Sequence, residues 1–279
     1  MVFGKLYLGV DGGGSNTRSL LLDHQFNPIG LGSALGCNPH NYGFKTAGAR
    51  INEAVTIAIE SIDFENYEID AVYCGVAGIR TPEEKARLAD SLADFDWRRG
   101  ARLAIDSDLS IAHEAGLGIN PGICLVIGTG AACIGKNDSS NLVTYSNRQP
   151  DGDEPGSGYA IGQDAITAGV ISVDSGERNE VAKAAQPLIE LAHAGNIKAR
   201  QILDQNSDAI ADLVRRTIDD LDWDGEKLPL VVTGGVGAAD TLYRVLVQEK
   251  LTALDSRIEF RFPKSSAVNV AAKRAFSLI

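Results

Sequence analysis

The amino-acid sequence predicts an α/β protein with two domains, each in the element order βββαβαβα, and a cleft between them. The chain has 279 residues, which at about 150 residues per domain fits two modest domains. Short apolar runs typical of strands alternate with amphipathic segments typical of helices. A strand, a glycine turn and a second strand open each half, near residues 10 and 128. This repeat indicates an internal duplication.

The first half supplies one complete set of elements. The glycine turn of residues 12–16 is short enough to join two antiparallel strands. Apolar side chains from Ile51 to Ile62 recur at helical spacing. Thr81 suits the N-cap of the next helix, and Pro82 its first position. The predicted elements are strands at 5–10, 17–23, 28–35, 71–76 and 102–105, and helices at 51–62, at 81–92 and from 108 onward.

The second half repeats the opening unit and then continues with helices and crossovers. A polar loop is expected between Asn137 and Gly158. The predicted domains are residues 1–117, joined by the C-terminal helix 265–279, and residues 118–264. The predicted elements are strands at 123–127, 131–136, 228–233 and 257–262, and helices at 163–173, 181–217, 240–251 and 266–278.

Charge and cysteine usage limit the possible partners. Lys and Arg number 26 and Asp and Glu 37, so the net charge is −11. This balance argues against nucleic acid or an anionic membrane surface as a partner. No apolar run approaches the roughly 20 residues of a membrane span, and the N-terminus lacks the layout of a signal peptide. The four cysteines lack zinc-ligand spacing, so we expect buried free thiols in a cytoplasmic protein.

Three glycine-rich turns, each following a buried strand, carry the chemical signal. Residues 11–17 read DGGGSNT, residues 127–131 read IGTGA, and residues 233–237 read TGGVG. Glycine allows the backbone N–H groups of such turns to approach phosphate oxygens closely. The first turn matches neither the dinucleotide-binding nor the P-loop pattern. We expect the first two turns to hold a polyphosphate and the third to lie against a flat purine.

In this order and spacing the three motifs resemble those of the superfamily of actin, heat-shock chaperone ATPases and sugar kinases. The best resemblance is to the BadF/BadG/BcrA-type ATPase family, in particular its N-acetylglucosamine and glucosamine kinases, and it covers nearly the whole chain. It implies two ribonuclease-H-like (actin-like ATPase) domains and ATP-dependent phosphorylation of an amino sugar. It also implies a small-molecule sugar as substrate, ATP and Mg²⁺ as cofactors, and a homodimer.

The resemblance assigns the nucleotide site residue by residue. Asp11 would hold Mg²⁺, because a carboxylate beside phosphates is tolerable only with a bridging cation. The remaining residues of the turns would contact ATP. These residues are Gly12, Gly13, Gly14, Ser15, Asn16, Thr17, Gly128, Thr129, Gly130, Ala131, Gly234 and Gly235.

The same resemblance assigns the sugar site. Asp108 aligns with the catalytic aspartate of the family and would act as general base on a sugar hydroxyl, with Asp106 as the alternative. Asn38 would bind sugar hydroxyls, as would Asp153 and Glu154, because carboxylates accept several O–H donors at once. His40 has no matching role and is interpreted as a loop residue.

The sequence departs from the family pattern before the acidic motif. Residues 145–150 replace the usual glycine- and tryptophan-containing run, and Pro155 resembles an insertion. Two alternatives therefore stay open. One is a non-catalytic or degenerate protein that binds ATP and sugar. The other is an ATPase activator of an acyl-CoA dehydratase, which would need cysteines for an iron–sulfur cluster.

Overall fold

Two five-stranded sheets organise the chain. The computed structural model describes residues 4–62, 68–149 and 152–279. It divides the chain into two units, one formed by Met1–Ala115 with Ser265–Ile279 and the other by Gly116–Lys264. The last segment of the chain therefore belongs to the first unit.

The described residues form the following elements. The strands are β1 Lys5–Gly12, β2 Asn16–Leu22, β3 Pro28–Leu35, β4 Glu68–Val76, β5 Arg102–Asp106, β6 Gly122–Ile127, β7 Ala131–Lys136, β8 Leu142–Ser146, β9 Leu228–Thr233 and β10 Ile258–Arg261. The helices are α1 Pro39–Tyr42, α2 Phe44–Glu60, α3 Pro82–Leu92, α4 Asp108–Leu117, α5 Gly158–Thr167, α6 Arg178–Lys183, α7 Ala185–His193, α8 Ile197–Leu221, α9 Leu242–Leu254 and α10 Ala267–Phe276.

The two sheets share one topology. The first has the strand order β3-β2-β1-β4-β5 and the second β10-β9-β6-β7-β8. In each, the opening three strands form an antiparallel meander. The later strands then pair parallel to the first strand of the meander or to each other. The predicted fold class, two ribonuclease-H-like α/β domains, is confirmed.

Glycines in the first sheet allow helices to pack directly on its backbone. A Cβ at Gly32 would lie 1.9 Å from the Ala54 carbonyl oxygen of α2, and the Ser19 hydroxyl donates to the same oxygen at 2.8 Å. On the other face, a Cβ at Gly9 would lie 2.1 Å from the Ala272 nitrogen of α10. Each face carries its own buried apolar cluster, so α2 and α10 enclose this sheet from opposite sides.

The second unit has more helices than the sequence predicts. Between its third and fourth strands lie four helices, α5 to α8, where the sequence predicts two. The single helix expected over 181–217 is divided into three, with breaks at Ala184 and at Gly195–Asn196. Asn196 caps α8 by accepting the Ala199 N–H at 3.0 Å. The helix expected at 163–173 lies instead at Gly158–Thr167, with Ser157 as its N-cap.

Strand β8 lies within the segment predicted to be a polar loop. It is five residues long, lies at the edge of its sheet, and alternates between exposed and half-buried positions. Its sequence, LVTYS, contains residues that favour strands, but the polar residues on both sides place it within the predicted loop. Its ladder with β7 holds it in the sheet. Among the described residues, no helix is both long and apolar enough to cross a membrane.

Candidate active site

The predicted site residues of the first unit gather at the carboxyl ends of its parallel strands. Asp11 lies near the end of β1, and Asp108 begins α4 directly after β5. Strands β1, β4 and β5 run parallel and end at the same edge of the sheet. In α/β sheets this edge is the usual place for ligands.

The first glycine turn is fixed to the segment that follows β3. The Gly13 N–H donates to the Asn16 carbonyl at 2.8 Å, which closes the turn. The Cys37 N–H donates to the Gly13 carbonyl at 3.1 Å. A Cβ at Gly12 would lie 2.3 Å from the Cys37 sulfur, so only glycine fits there. The turn is therefore shaped before any ligand arrives.

Burial divides the residues of this turn into two groups. Gly12 and Thr17 are buried, and the Thr17 hydroxyl donates to the Leu35 carbonyl at 2.8 Å. The residues at the tip, Gly13 to Asn16, are half-buried or exposed. The backbone at the tip is therefore accessible, whereas the Thr17 side chain holds the turn from inside.

Asp11 and Asp108 form a pair of carboxyl groups beside the first turn. Burial and the neighbouring Asp11 carboxylate raise the pKa of Asp108 to about 7. Burial also raises the pKa of Asp11, against the lowering effect of the Arg18 charge. The Ser107 hydroxyl donates to Asp108 Oδ1 at 3.3 Å. A carboxyl group with a pKa near neutrality is suited to take up a proton.

Asp106 has a different environment, although it lies only two residues away. Lys85 Nζ donates to its Oδ1 at 3.0 Å, and the Tyr73 hydroxyl to its Oδ2 at 3.3 Å. Burial alone would raise the pKa of Asp106, but the Lys85 and Ser107 hydrogen bonds lower it below its ordinary value. These contacts place Asp106 in an ion-pair network and favour Asp108 over Asp106 as the base.

Asn38 caps the short helix α1 and lies against Gly78, in the loop between β4 and α3. Its Oδ1 accepts the His40 N–H at 2.9 Å. Gly78 has a φ of +85°, and a Cβ there would lie 2.5 Å from Asn38 Oδ1. His40 Nε2 lies 2.8 Å from the Gly78 carbonyl and 2.9 Å from Glu84 Oε1. His40, predicted only as a loop residue, thus links the Asn38 loop to the start of α3.

The second glycine turn lies between β6 and β7 and is held by the first residues of α5. The Gly158 N–H donates to the Gly128 carbonyl at 2.8 Å, and the Tyr159 N–H to the Thr129 carbonyl at 3.2 Å. Within the turn, the Gly128 N–H donates to the Gly130 carbonyl at 2.8 Å. Two carbonyls of the turn therefore accept N–H groups of α5 and the third closes the turn, which fixes its shape.

The third turn follows β9 and is tied to the end of β6. Gly234 has a φ of +89°, and a Cβ there would lie 2.4 Å from the Ile127 carbonyl oxygen. That oxygen accepts the N–H groups of Val236 and Gly237, both at 3.0 Å. Gly235 is exposed, with open space where a side chain would begin. The turns at 128–131 and 234–237 therefore lie side by side at one edge of the second sheet.

Asp153 and Glu154 are adjacent in sequence but differ in their surroundings. Asp153 is half-buried, and its Oδ1 accepts the Glu154 N–H at 2.8 Å. Glu154 is 6% exposed, and its carboxylate accepts the Ala131 N–H at 2.9 Å and an Arg178 N–H at 2.6 Å. Pro150 and Asp151, which precede this pair, lie outside the described residues. Pro150 belongs to the run 145–150 that differs from the family pattern.

Arg178 is the residue of this site that sequence analysis misses. It lies 24 residues beyond Glu154, at the start of a short helix with the sequence RNEVAK, where a charged side chain is usually solvated. No local pattern points to its partner.

The four cysteines are buried in the two units. Burial raises the pKa of the Cys37 and Cys133 thiols to about 12 and also raises that of Cys74. Iron–sulfur ligation needs thiolates, and a cluster shared between subunits needs them at a surface. The structure thus gives no support to the alternative of an iron–sulfur activator.

Solved structures of sugar kinases have the same fold as this chain. A proposed N-acetylglucosamine kinase from Chromobacterium violaceum has the same fold, with a TM-score of 0.75, 18% identity, and coverage of 96% of this chain and 98% of its own. A ROK family glucokinase from Streptomyces griseus, solved with glucose and AMPPNP, gives a TM-score of 0.62 at 16% identity, covering 98% and 99%. The fold is that of sugar kinases and actin-like ATPases.

The sequence model of the BadF/BadG/BcrA/BcrD ATPase family matches residues 8–258. The chain belongs to this family, as the glycine motifs predict. The N-acetyl-D-glucosamine kinase of Dictyostelium discoideum is 24% identical over 272 residues, which cover 83% of this chain and 85% of that protein.

Proposed function

We propose that this protein is an ATP-dependent kinase of an amino sugar, with N-acetylglucosamine or glucosamine as its substrate. The observation that carries the proposal is the position of Asp108, which begins α4 at the carboxyl end of the parallel strands, with Asp11 at the end of β1 beside the first glycine turn. Burial and the neighbouring Asp11 carboxylate raise the pKa of Asp108, which supports a role in taking up the proton of a hydroxyl. The names of the Dictyostelium and Chromobacterium relatives support the amino sugar as acceptor.

ATP is the phosphoryl donor that membership of this ATPase family supports. In the proposal, the tips of the turns at 12–17 and 128–131 contact its phosphates, while the Gly13, Gly128 and Ala131 N–H groups hold the turns in shape by hydrogen bonds within the protein. The turn at Gly234 and Gly235 lies against its adenosine. The exposed tip of the first turn and the open space at Gly235 are compatible with these roles. All three turns are fixed by internal hydrogen bonds, which lowers the entropy cost of binding.

The residues beside the first turn fit a magnesium ion. Asp11 and Asp108 are two acidic groups whose burial raises their pKa values, and a divalent cation would relieve their repulsion. Among the described residues no three potential ligands come together, so a Mg²⁺ ion at Asp11 would take most of its ligands from water and phosphate. When bound, it would neutralise charge on the transferred phosphoryl group.

Asp108 acts as the general base in the proposed reaction. It orients a sugar hydroxyl and takes its proton while the hydroxyl oxygen bonds to the γ-phosphorus of ATP. The bond between that phosphorus and the bridging oxygen breaks, and ADP leaves with the electron pair. Asn38 and Asp153 bind other hydroxyls of the sugar as hydrogen-bonding partners. Asp106 stays in its ion pair with Lys85.

The proposal is tested by measuring ADP release with Mg²⁺ and ATP across a panel of sugars. The panel contains N-acetylglucosamine, glucosamine, N-acetylmuramate, glucose and N-acetylmannosamine. We expect release that depends on one of the first two sugars. Release that depends only on glucose would overturn the amino-sugar assignment. ATP binding without any sugar-dependent release would favour the non-catalytic alternative.

A further inference from the structure

The Glu154 carboxylate lies against the second glycine turn and fills the space that a side chain at Gly130 would need. A Cβ at Gly130 would lie 2.6 Å from Glu154 Oε1 and 2.9 Å from its Oε2. Oε1 also accepts the buried Ala131 N–H at 2.9 Å and the Ser146 hydroxyl at 3.4 Å. The Glu154 carboxylate therefore requires glycine at position 130 and fixes the direction of the Ala131 N–H at the end of the turn.

Arg178 holds this carboxylate from the other side. One of its terminal N–H groups donates to Glu154 Oε2 at 2.6 Å, and the other donates to the Gly152 carbonyl at 2.8 Å. The guanidinium lies 4.0 Å from the centre of the Tyr159 ring, and the Tyr159 N–H donates to the Thr129 carbonyl. Arg178 thus contacts both supports of the turn, the acidic loop and the start of α5.

The ion pair is well removed from solvent. The Arg178 side chain is 18% exposed and the Glu154 side chain 7%. Burial raises the pKa of Glu154, and the Ala131 N–H and the charges of Arg178 and Arg148 act against that rise. Both carboxylate oxygens have partners within the second unit, which leaves this group poorly placed to accept hydroxyls from a sugar.

Charge explains why the pair matters for a phosphate site. An unpaired carboxylate directly behind a phosphate-binding turn would repel ATP, because like charges at short distance in a partly buried site are strongly unfavourable. Arg178 neutralises it, so the carboxylate can shape the turn without repelling the ligand. Breaking a buried pair by removing one partner leaves an uncompensated charge, whereas removing both charges does not.

We propose that Glu154 and Arg178 are positioning residues for ATP: their buried ion pair shapes the glycine turn at 128–131, and Glu154 is not a sugar ligand. The inference rests on the proposed role of that turn in phosphate binding. It separates Glu154 from its neighbour Asp153, which keeps the role of sugar ligand.

The test compares R178M with the double variant E154Q/R178M by ATP titration calorimetry in the absence of sugar. R178M leaves the carboxylate unpaired, and we expect ATP to bind on the order of tenfold or more weakly. In the double variant neither substituted side chain carries a charge, and the glutamine oxygen can still accept the Ala131 N–H. We therefore expect most of the ATP affinity to return. Both variants lose the Arg178 hydrogen bond to the Gly152 carbonyl, so the KM for the sugar should be the same in the two variants if Glu154 does not bind the sugar.

A matched control lies on the same helix. Glu180 and Lys183 form an ion pair of 2.6 Å on α6, with side chains 48% and 72% exposed. The variants E180Q and K183M should bind ATP like the wild type. Hydrogen exchange at the Ala131 amide gives a second readout, since R178M should expose this amide and the double variant should protect it again.

Three results would overturn the inference. ATP affinity unchanged in R178M would show that the pair does not act on the turn. An affinity in the double variant no better than in R178M would show that neutrality is not the cause. A sugar KM raised in E154Q/R178M but not in R178M, at unchanged ATP affinity, would make Glu154 a sugar ligand. If R178M does not fold, an E154Q/R178M variant with wild-type ATP affinity and Ala131 protection supports the inference, and one without them overturns it.

Failure of the proposed function is a separate outcome. Wild-type protein that binds ATP but phosphorylates no sugar contradicts the kinase, and the effects of R178M and E154Q/R178M on ATP affinity still decide the role of the pair.

Discussion

Two aspartates that are two residues apart in sequence have opposite electrostatic environments. Asp106 ends a strand and pairs with Lys85, whereas Asp108 begins a helix beside Asp11. The sequence leaves the choice of base between them open. The proposal of Asp108 as the base rests on charges from other elements, Lys85 beside Asp106 and Asp11 beside Asp108, which lie close only after folding.

The first prediction concerns turnover. D108N should lower kcat by about 10²–10⁴-fold, the usual contribution of a general base, while ATP affinity stays close to that of the wild type. The measurement is sugar-dependent ADP release together with ATP titration. D106N is the matched variant and should keep most of the turnover. The reverse order of the two variants would identify Asp106 as the base.

The second prediction concerns stability against pH in the absence of Mg²⁺ and nucleotide. Because folding raises the pKa of Asp108 from 3.8 to about 7, the folded state loses stability as pH rises through this range. D108N removes that loss, so it should raise the Tm by several degrees at pH 8 and hardly at all at pH 4.

D106N should show the opposite sign in the same experiment. The pKa of Asp106 is lowered on folding, so its charge stabilises the folded state above the ordinary aspartate pKa, and that stabilisation is lost as pH falls. D106N should therefore lower the Tm at pH 8, with a smaller effect in acid. Tm changes of the same sign at pH 8 in D108N and D106N would contradict the environments described for the two aspartates.

The third prediction concerns the loop that supports Asn38. Gly78→Ala would strain a φ of +85° and force the new Cβ against Asn38 Oδ1. We expect a KM for the sugar raised on the order of tenfold, with unchanged ATP affinity. Gly43→Ala is the control, because Gly43 has a φ of +81° but no atom within 4 Å of its Cβ position. Equal effects of both variants would mean that backbone strain alone is responsible.

At the scale of elements, glycines decide where helices pack. The fourth prediction is that Gly32→Ala destabilises the first unit by ~3 kcal/mol or more, because its Cβ would overlap the backbone of α2. Chemical denaturation measures this. Gly4→Ala serves as control, since its Cβ would meet only His24 Nδ1 at 3.8 Å. A mild effect at Gly32 would show that α2 can move away from β3.

Elements with a strong local pattern are predicted from sequence, and those that depend on partners are not. The N-cap predicted at Thr81 is present in the structure, where Glu84 completes a capping box with it. Strand β8, LVTYS, has residues that favour strands, but it is only five residues long and lies between polar segments, so the loop prediction includes it. The break between α7 and α8 has a local signal in Gly195 and Asn196, which sequence analysis overlooks because the apolar spacing continues across it.

At the scale of the whole molecule, the duplicated topology is the feature that sequence predicts best. Both sheets repeat one strand order. The glycine turns indicate this repeat, because two of them follow the first strand of a sheet, β1 or β6, and the third follows β9, the fourth strand of the second sheet. The sequence therefore proposes the glycine turns and Asp108 as site residues from their positions along the chain. Arg178 and His40 act through contacts with residues distant in sequence, so no motif reveals them.

The fifth prediction concerns the segment Ser265–Ile279, which belongs to the first unit. Its removal would uncover the apolar cluster in which Val268, Ala271, Ala272 and Ala275 pack against β1, β2 and β4. Hydrogen exchange should then show loss of protection in β1 and β4, while β6 and β9 keep theirs. Retained protection in β1 would mean that α10 is dispensable for this sheet.

This arrangement of the chain has a consequence for synthesis on the ribosome. The residues of the second unit are continuous, so that unit can fold as soon as it has emerged. The first unit is translated earlier but lacks α10 until residues 265–279 have been made. During that interval the part of its sheet that α10 covers, which includes Tyr7, Leu20 and Leu22, lacks that helix, while α4 already packs on the same face through Ile111. The half of the protein that is made first is therefore the half that is completed last, and it is the one we expect chaperones to protect.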